Sequence, residues 1–215
     1  MNLVDLCQRA THVLLQAPTP ENEGRPKFIL MSNLTLLQLY INKFAAAVAL
    51  YDLCDPSSPN PAVPSQHVNM MRFVVGDDGA MTIWHVARLI EETRGHLHEV
   101  PSLLPRINTG ELKLAEKLLK SAFPQFENLR HASAHASELF SNIESANKNT
   151  PAGAFDTPIG KMKNDGGIIA VGSSFHNRTY FTMIDKQVVS YDLSWACHAK
   201  LEGIAKRVYL SFITS

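Results

Sequence analysis

The chain has no excess of charge of either sign: 20 Lys and Arg balance 20 Asp and Glu over 215 residues, for a formal net charge of zero. A protein that coats nucleic acid collects phosphates with a broad basic field, so DNA binding and a histone-like role are not expected, although a few cations around a cleft would suffice to handle RNA. Cysteine is scarce. Cys7, Cys54 and Cys197 are odd in number and none lies in CxxC spacing, which argues against a disulfide framework or a thiolate zinc site and favours a reducing, cytoplasmic location. Long apolar runs are missing too. The longest, 44–51, is well short of the roughly 20 residues that span a bilayer. Residues 1–17 carry Asp5 and Arg9 without a basic start, unlike a signal peptide. No membrane association is expected. There is no GxxxxGK[ST], no GxGxxG after a strand and no GxSxG elbow, so nucleotide-dependent and Ser-hydrolase chemistry lack a basis and no cofactor is expected.

What is present is ordinary globular material, 45% hydrophobic and 19% charged. That suffices for one sizeable core, so residues 1–215 read as a single domain. Leu3, Leu6, Cys7, Ala10, Val13 and Leu14 recur at helical spacing until Pro18 and Pro20 stop them. Ser32-Asn33 reads as the N-cap of a helix over 34–53. Leu36, Leu37, Leu39, Ile41, Phe44, Val48 and Tyr51 make that helix apolar almost all round, which predicts a place in the middle of a bundle. The prolines of 55–64 predict a loop. Gly76-Asp77-Asp78-Gly79 reads as a turn whose acidic pair caps a helix carrying Met81, Ile83, Trp84, Ala87 and Ile90 as far as Gly95.

A further helix is predicted over 111–122, and Pro124 opens another that runs to about Ser145. Residues 147–167, polar and broken by Pro and Gly, read as a connector. The period then changes to β-rich runs at 168–171, 180–183 and 188–191, separated by His176-Asn177-Arg178 and Asp185-Lys186, which suit hairpin turns. Ser194 starts a last helix with Leu201, Ile204, Ala205, Val208, Tyr209 and Phe212 on one stripe. Trp84 and Trp195, both in helical patterns, are expected in the core. The expected fold is mainly α: a bundle of about five or six helices with a small antiparallel β meander, about 167–191, inserted before the C-terminal helix.

The segment that carries chemistry is 126–143. On a helical wheel, Phe126, Leu129, Ala132, Ala136, Leu139, Phe140 and Ile143 fall within one arc. The opposite face carries Glu127, His131, His135 and Glu138, with Arg130 at its edge. Arg130, the polar His131, three further residues and His135 form an RxxxxH pattern. In this the chain resembles HEPN domains, all-helical bundles that include many ribonucleases of toxin–antitoxin, CRISPR and RNA-processing systems.

The resemblance implies metal-independent RNA cleavage by attack of the 2′-hydroxyl on the neighbouring phosphodiester. His135 would move the proton, Arg130 would clamp the phosphate, and His131 would tune or orient them. Histidine is the side chain suited to proton transfer near neutral pH, and arginine offers a permanent cation with paired donors. Five residues of helix leave Arg130 and His135 about 140° apart, so a two-fold homodimer that gathers both motifs around one cleft is the expected working form.

Two other readings accompany this one. A non-catalytic HEPN-like module would dimerise or bind a protein partner through the same helix, with Glu127 and Glu138 neutralising the basic groups. His131 and His135 at i and i+4, with Glu138 a turn on, could in principle hold a metal, but no fourth ligand announces itself and no metal is expected.

Overall fold

A computed structural model describes residues 2–54, 64–139, 141–167, 169 and 172–213. The protein is mainly helical, with two small antiparallel sheets before the last helix. α1 (Leu3–Gln16) starts at Asn2, whose side chain accepts from the Asp5 amide at 2.8 Å. α2 (Gly24–Leu53) follows a 3-10 turn at Glu21–Glu23, and α3 spans Ser65–Leu97. α4 (Thr109–Ala122) is capped by Asn108 through the amides of Gly110 and Glu111. Then come α5 (Phe126–Ala134), α6 (Ala136–Leu139) and α7 (Ile143–Asn149). β1 (Gly153–Thr157) and β2 (Gly160–Asn164) form one hairpin; β3 (Ser174–His176), β4 (Thr179–Ile184) and β5 (Gln187–Asp192) form a meander with β4 in its centre. α8 (Trp195–Ser211) closes the chain, with Ser194 Oγ accepting from the Cys197 amide.

The chain divides into two compact units. Met1–Lys43, His85–Pro124 and His198–Ser215 make the first, which is all helical. Its core is built from Leu6, Ala10 and Leu14 of α1, Leu30, Leu34, Leu37 and Ile41 of α2, and Leu112, Ala115 and Leu119 of α4, with Leu201, Ile204 and Val208 of α8. Phe44–Trp84 and Gln125–Cys197 make the second unit, which holds both sheets and α5 to α7. There Phe44, Val48 and Tyr51 of α2 and Ile83 of α3 are buried, as are Phe126 and Leu129 of α5 and nearly the whole of β4.

Several expectations change. α2 begins at Gly24, with Pro26 in its first turn where proline costs little, so Ser32 and Asn33 lie inside the helix. It starts early because Leu30 continues the buried stripe of Leu34, Leu37 and Ile41. Nor is it buried all round: Phe28, Leu36 and Leu39 are exposed. Glu21–Leu53 is the one run among the described residues long and apolar enough to cross a membrane, and 39% of its most apolar window is buried within the protein; it is far longer than the 44–51 run suggests.

Gly76-Asp77-Asp78-Gly79 is helix interior, not a turn. Its glycines admit two tyrosines: a Cβ on Gly76 would overlap the Tyr180 ring and come within 2.8 Å of Phe175. The Tyr191 hydroxyl donates to the Gly76 carbonyl at 2.5 Å. The expected connector contains the end of α7 and the β1–β2 hairpin, made possible by Gly160 at φ 125° and by Thr157 Oγ1 donating to the Gly160 carbonyl. The first described strand of the meander is β3; of the β run expected at 168–171, Ile168, Ala170 and Val171 lie outside the described residues, as do 55–63 of the expected loop. Asp185 and Lys186 both take positive φ, the two-residue turn that matches strand twist. Trp195 is half exposed at the start of α8, its indole N–H donating to Asp52 Oδ2.

Candidate functional site

The motif lies wholly in the second unit. α5 forms because Phe126, Leu129 and Ala132 recur at helical spacing and are buried. Beyond Ala132 the expected single helix does not continue, and Phe140 of the expected arc lies outside the described residues. α5 ends at Ala134, His135 adopts a non-helical conformation (φ −121°, ψ 24°), and Ile143 is 73% exposed. The helix expected to run from Pro124 to about Ser145 is therefore three short ones. A run of small residues, Ala132-Ser133-Ala134, offers no large apolar anchor to hold the original direction. His135 is nonetheless firmly set at the junction: its amide donates to the His131 carbonyl at 3.1 Å, and its carbonyl accepts from the amides of Glu138 at 2.8 Å and Leu139 at 3.2 Å.

The side chains form a row. The half-buried Arg130 guanidinium lies 5.3 Å from the Trp84 ring centre, and its Nη1 is 3.4 Å from His131 Nδ1. His131 and His135 stack with ring centres 6.2 Å apart and planes inclined by 24°. His135 Nδ1 is 3.2 Å from Glu138 Oε2. Glu127, expected to face the histidines, accepts instead from the Trp84 indole N–H at 3.0 Å. Arg130 thus meets no carboxylate among the described residues, and its buried Nε has no hydrogen-bond partner among them. Trp84, read from sequence as a core residue, is the platform of the motif; nothing in a single sequence marks an indole as facing an arginine 46 positions later.

His131 and His135 open onto a cavity of about 360 Å³, also lined by Glu138, Leu139, Ser145, Lys148, Asn149, Ile184 and Asp185; Arg130 is not among its lining residues. One chain therefore brings His131 and His135 to a common cavity, with Arg130 reached through His131. Asn149, 5% exposed, ties the walls together. Its Nδ2 donates to the carbonyls of Leu139 and Ser145, and its Oδ1 accepts from the Asp185 amide. Among the described residues no group of three His, Cys, Asp or Glu could hold a metal ion, so His131, His135 and Glu138 do not form the ligand trio considered above.

The other side of α5 is pinned by a polar cluster. Ser133 Oγ lies 3.3 Å from the Tyr180 hydroxyl, which donates to Asp77 Oδ1 at 2.6 Å and lies 2.8 Å from Ser173 Oγ. Burial lifts the Asp77 carboxyl above the ordinary carboxylate range, and hydrogen bonds from Tyr180, Ser133 and Ser173 pull it partly back. Burial, reinforced by the Asp77 charge, pushes the Tyr180 phenol up. A carboxyl raised on folding adds stability that is full below its unfolded-chain value and is lost as pH rises through its folded value. Asp77→Asn, which still accepts from Tyr180 but carries no charge, is expected to remove that component. The urea unfolding midpoint at pH 3.5, taken relative to the midpoint at pH 7, should then be lower in the variant than in the wild type; an unchanged difference would discharge Asp77 from this role.

Compared against protein families, curated proteins and solved structures, the chain matches none.

Proposed function

We propose that the protein is a HEPN-like, metal-independent endoribonuclease that works as a homodimer. The observation that supports this most is the row Arg130, His131, His135, Glu138, with an arginine unclaimed by any described carboxylate at one end and two stacked imidazoles at an open cavity. Such a row meets the needs of transesterification. The RNA 2′-hydroxyl oxygen attacks the adjacent phosphorus while a neutral imidazole takes its proton. The bond from phosphorus to the 5′-oxygen breaks, and a protonated imidazole returns a proton to that oxygen. The products are a 2′,3′-cyclic phosphate and a 5′-hydroxyl end, and the atoms balance without a cofactor.

Glu138, 3.2 Å from Nδ1, orients the His135 ring, as a carboxylate behind a catalytic imidazole does. Arg130 supplies the permanent cation for the phosphate in flight. Because Arg130 leans on Trp84 outside the cavity, the dimer is the means by which the arginine of a second copy reaches the histidines of the first.

A second reading rests on Glu138, which at 3.2 Å can neutralise His135 and suit a protein-binding module. Incubating a mixed RNA pool in EDTA separates the two. The ribonuclease reading expects cleavage with cyclic-phosphate ends by a species of dimeric size, and strong loss in Arg130→Ala at unchanged size. Intact RNA with the wild type would replace it by the binding module, and cleavage by a monomer would remove the dimer.

A further inference from the structure

We propose that the cavity between α5, α6, α7 and the β4–β5 turn is a phosphate subsite whose cation is Lys148, holding the phosphate next to the scissile one on RNA. The inference rests on the ribonuclease reading above for the identity of the substrate, but the anion site itself stands on separate residues.

The cavity is built rather than accidental. Its walls belong to four elements, and Asn149 of α7 ties two of the others to its own helix by hydrogen bonds to the Leu139 carbonyl of α6 and from the Asp185 amide of the β4–β5 turn. The two stacked imidazoles stand on α5 and at its end, and Lys148 stands on α7. Lys148 is 76% exposed, and its only ion pair among the described residues is a loose one, 3.8 Å to Asp185 across the β4–β5 turn. An ammonium held so weakly at the rim of a cavity can exchange its carboxylate for a phosphate oxygen at little cost. Leu139 and Ile184 add apolar wall, which suits the sugar or base attached to such a phosphate better than it suits a free inorganic ion.

The charges of the site set a condition. Glu138 and Asp185 both oppose an anion, and each is already faced by a basic group, His135 at 3.2 Å and Lys148 at 3.8 Å. With neutral imidazoles the lining carries two negative charges and one positive; phosphate therefore binds best when an imidazole is protonated. Removing the Asp185 charge should free Lys148 and strengthen binding. Removing the Lys148 charge should abolish most of it.

The test is a titration of the intact protein with inorganic phosphate, at constant ionic strength, following the ring Cε1–H resonances of His131 and His135 by NMR. His176, exposed and outside the cavity, is the internal control. The subsite predicts saturable shifts of His131 and His135 but not of His176, affinity weakened roughly tenfold in Lys148→Met, restored in Lys148→Arg, and improved roughly two- to fivefold in Asp185→Asn. Unmoved resonances in the wild type, or equal affinity in Lys148→Met, would overturn it. RNA cleavage is scored separately. Saturable phosphate shifts without cleavage keep the subsite and remove the ribonuclease; cleavage with a KM indifferent to Lys148→Met and no phosphate shifts keeps the ribonuclease and removes the subsite.

Discussion

On the proposed ribonuclease reading, His135→Ala is expected to lower RNA cleavage by about 10²- to 10⁴-fold, the range a positioned proton-transfer group contributes. His135 is the one residue of the row that borders the cavity, stacks on the second imidazole and contacts a carboxylate. Alanine removes the imidazole alone, since the amide and carbonyl that join α5 to α6 stay in place. With a side chain 44% exposed, the loss leaves no sealed void and the fold should survive. His131→Ala is expected to cost rate as well, because two protons move and His135 cannot be base and acid at once. Glu138→Gln should cost less than either, as it removes only the carboxylate behind His135. Single-turnover rates with circular dichroism of each variant make the comparison. A fully active His135→Ala protein of native spectrum would end the catalytic assignment of the motif.

Gly76→Ala is expected to destabilise the protein although alanine is the better helix former by about 1 kcal/mol. Gly76 lies inside α3, and its missing side chain is filled by the Tyr180 and Phe175 rings. Tyr180 is fully buried and held through its hydroxyl by Asp77, Ser173 and Ser133, so it cannot step aside without breaking that cluster. Overpacking of this kind costs typically about 1–3 kcal/mol and occasionally more, enough to exceed the gain in propensity and lower the melting temperature by roughly 2–8 °C. Gly95→Ala, in the last turns of the same helix with open space around its Cα, is the control and should be neutral or stabilising. A Gly76→Ala protein that melts at or above the wild-type temperature would mean the tyrosine packs elsewhere.

Gly76 and Gly79 show why part of the fold was not legible. Turn chemistry is local, and Gly-Asp-Asp-Gly is a turn by every local rule; it became helix because Tyr180 and Tyr191, over 100 residues later, occupy the space the glycines leave. The same applies to 147–167, where proline and glycine marked a break in helix but did not say that a hairpin would form in it. At the site, the residues Arg130, His131 and His135 were legible from spacing. Trp84, Lys148, Asn149 and Asp185 were not, since they come from α3, α7 and the β4–β5 turn and carry no spacing relation to the motif.

By itself, then, the order of residues determined the elements whose signals are local and strong: α1 and α4 with their apolar stripes, the two-residue turn at Asp185-Lys186, the β runs at 180–183 and 188–191, the stripe of α8, and the mainly helical character of the whole. Only tertiary structure decided where the motif helix ends and what its side chains face. The small residues after Leu129 let the backbone bend at His135, and the bend sets both imidazoles beside α7 while Arg130 rests on an indole from α3. Helical periodicity describes one straight helix; the direction of a side chain after a break depends on which distant surface the next few residues can bury against.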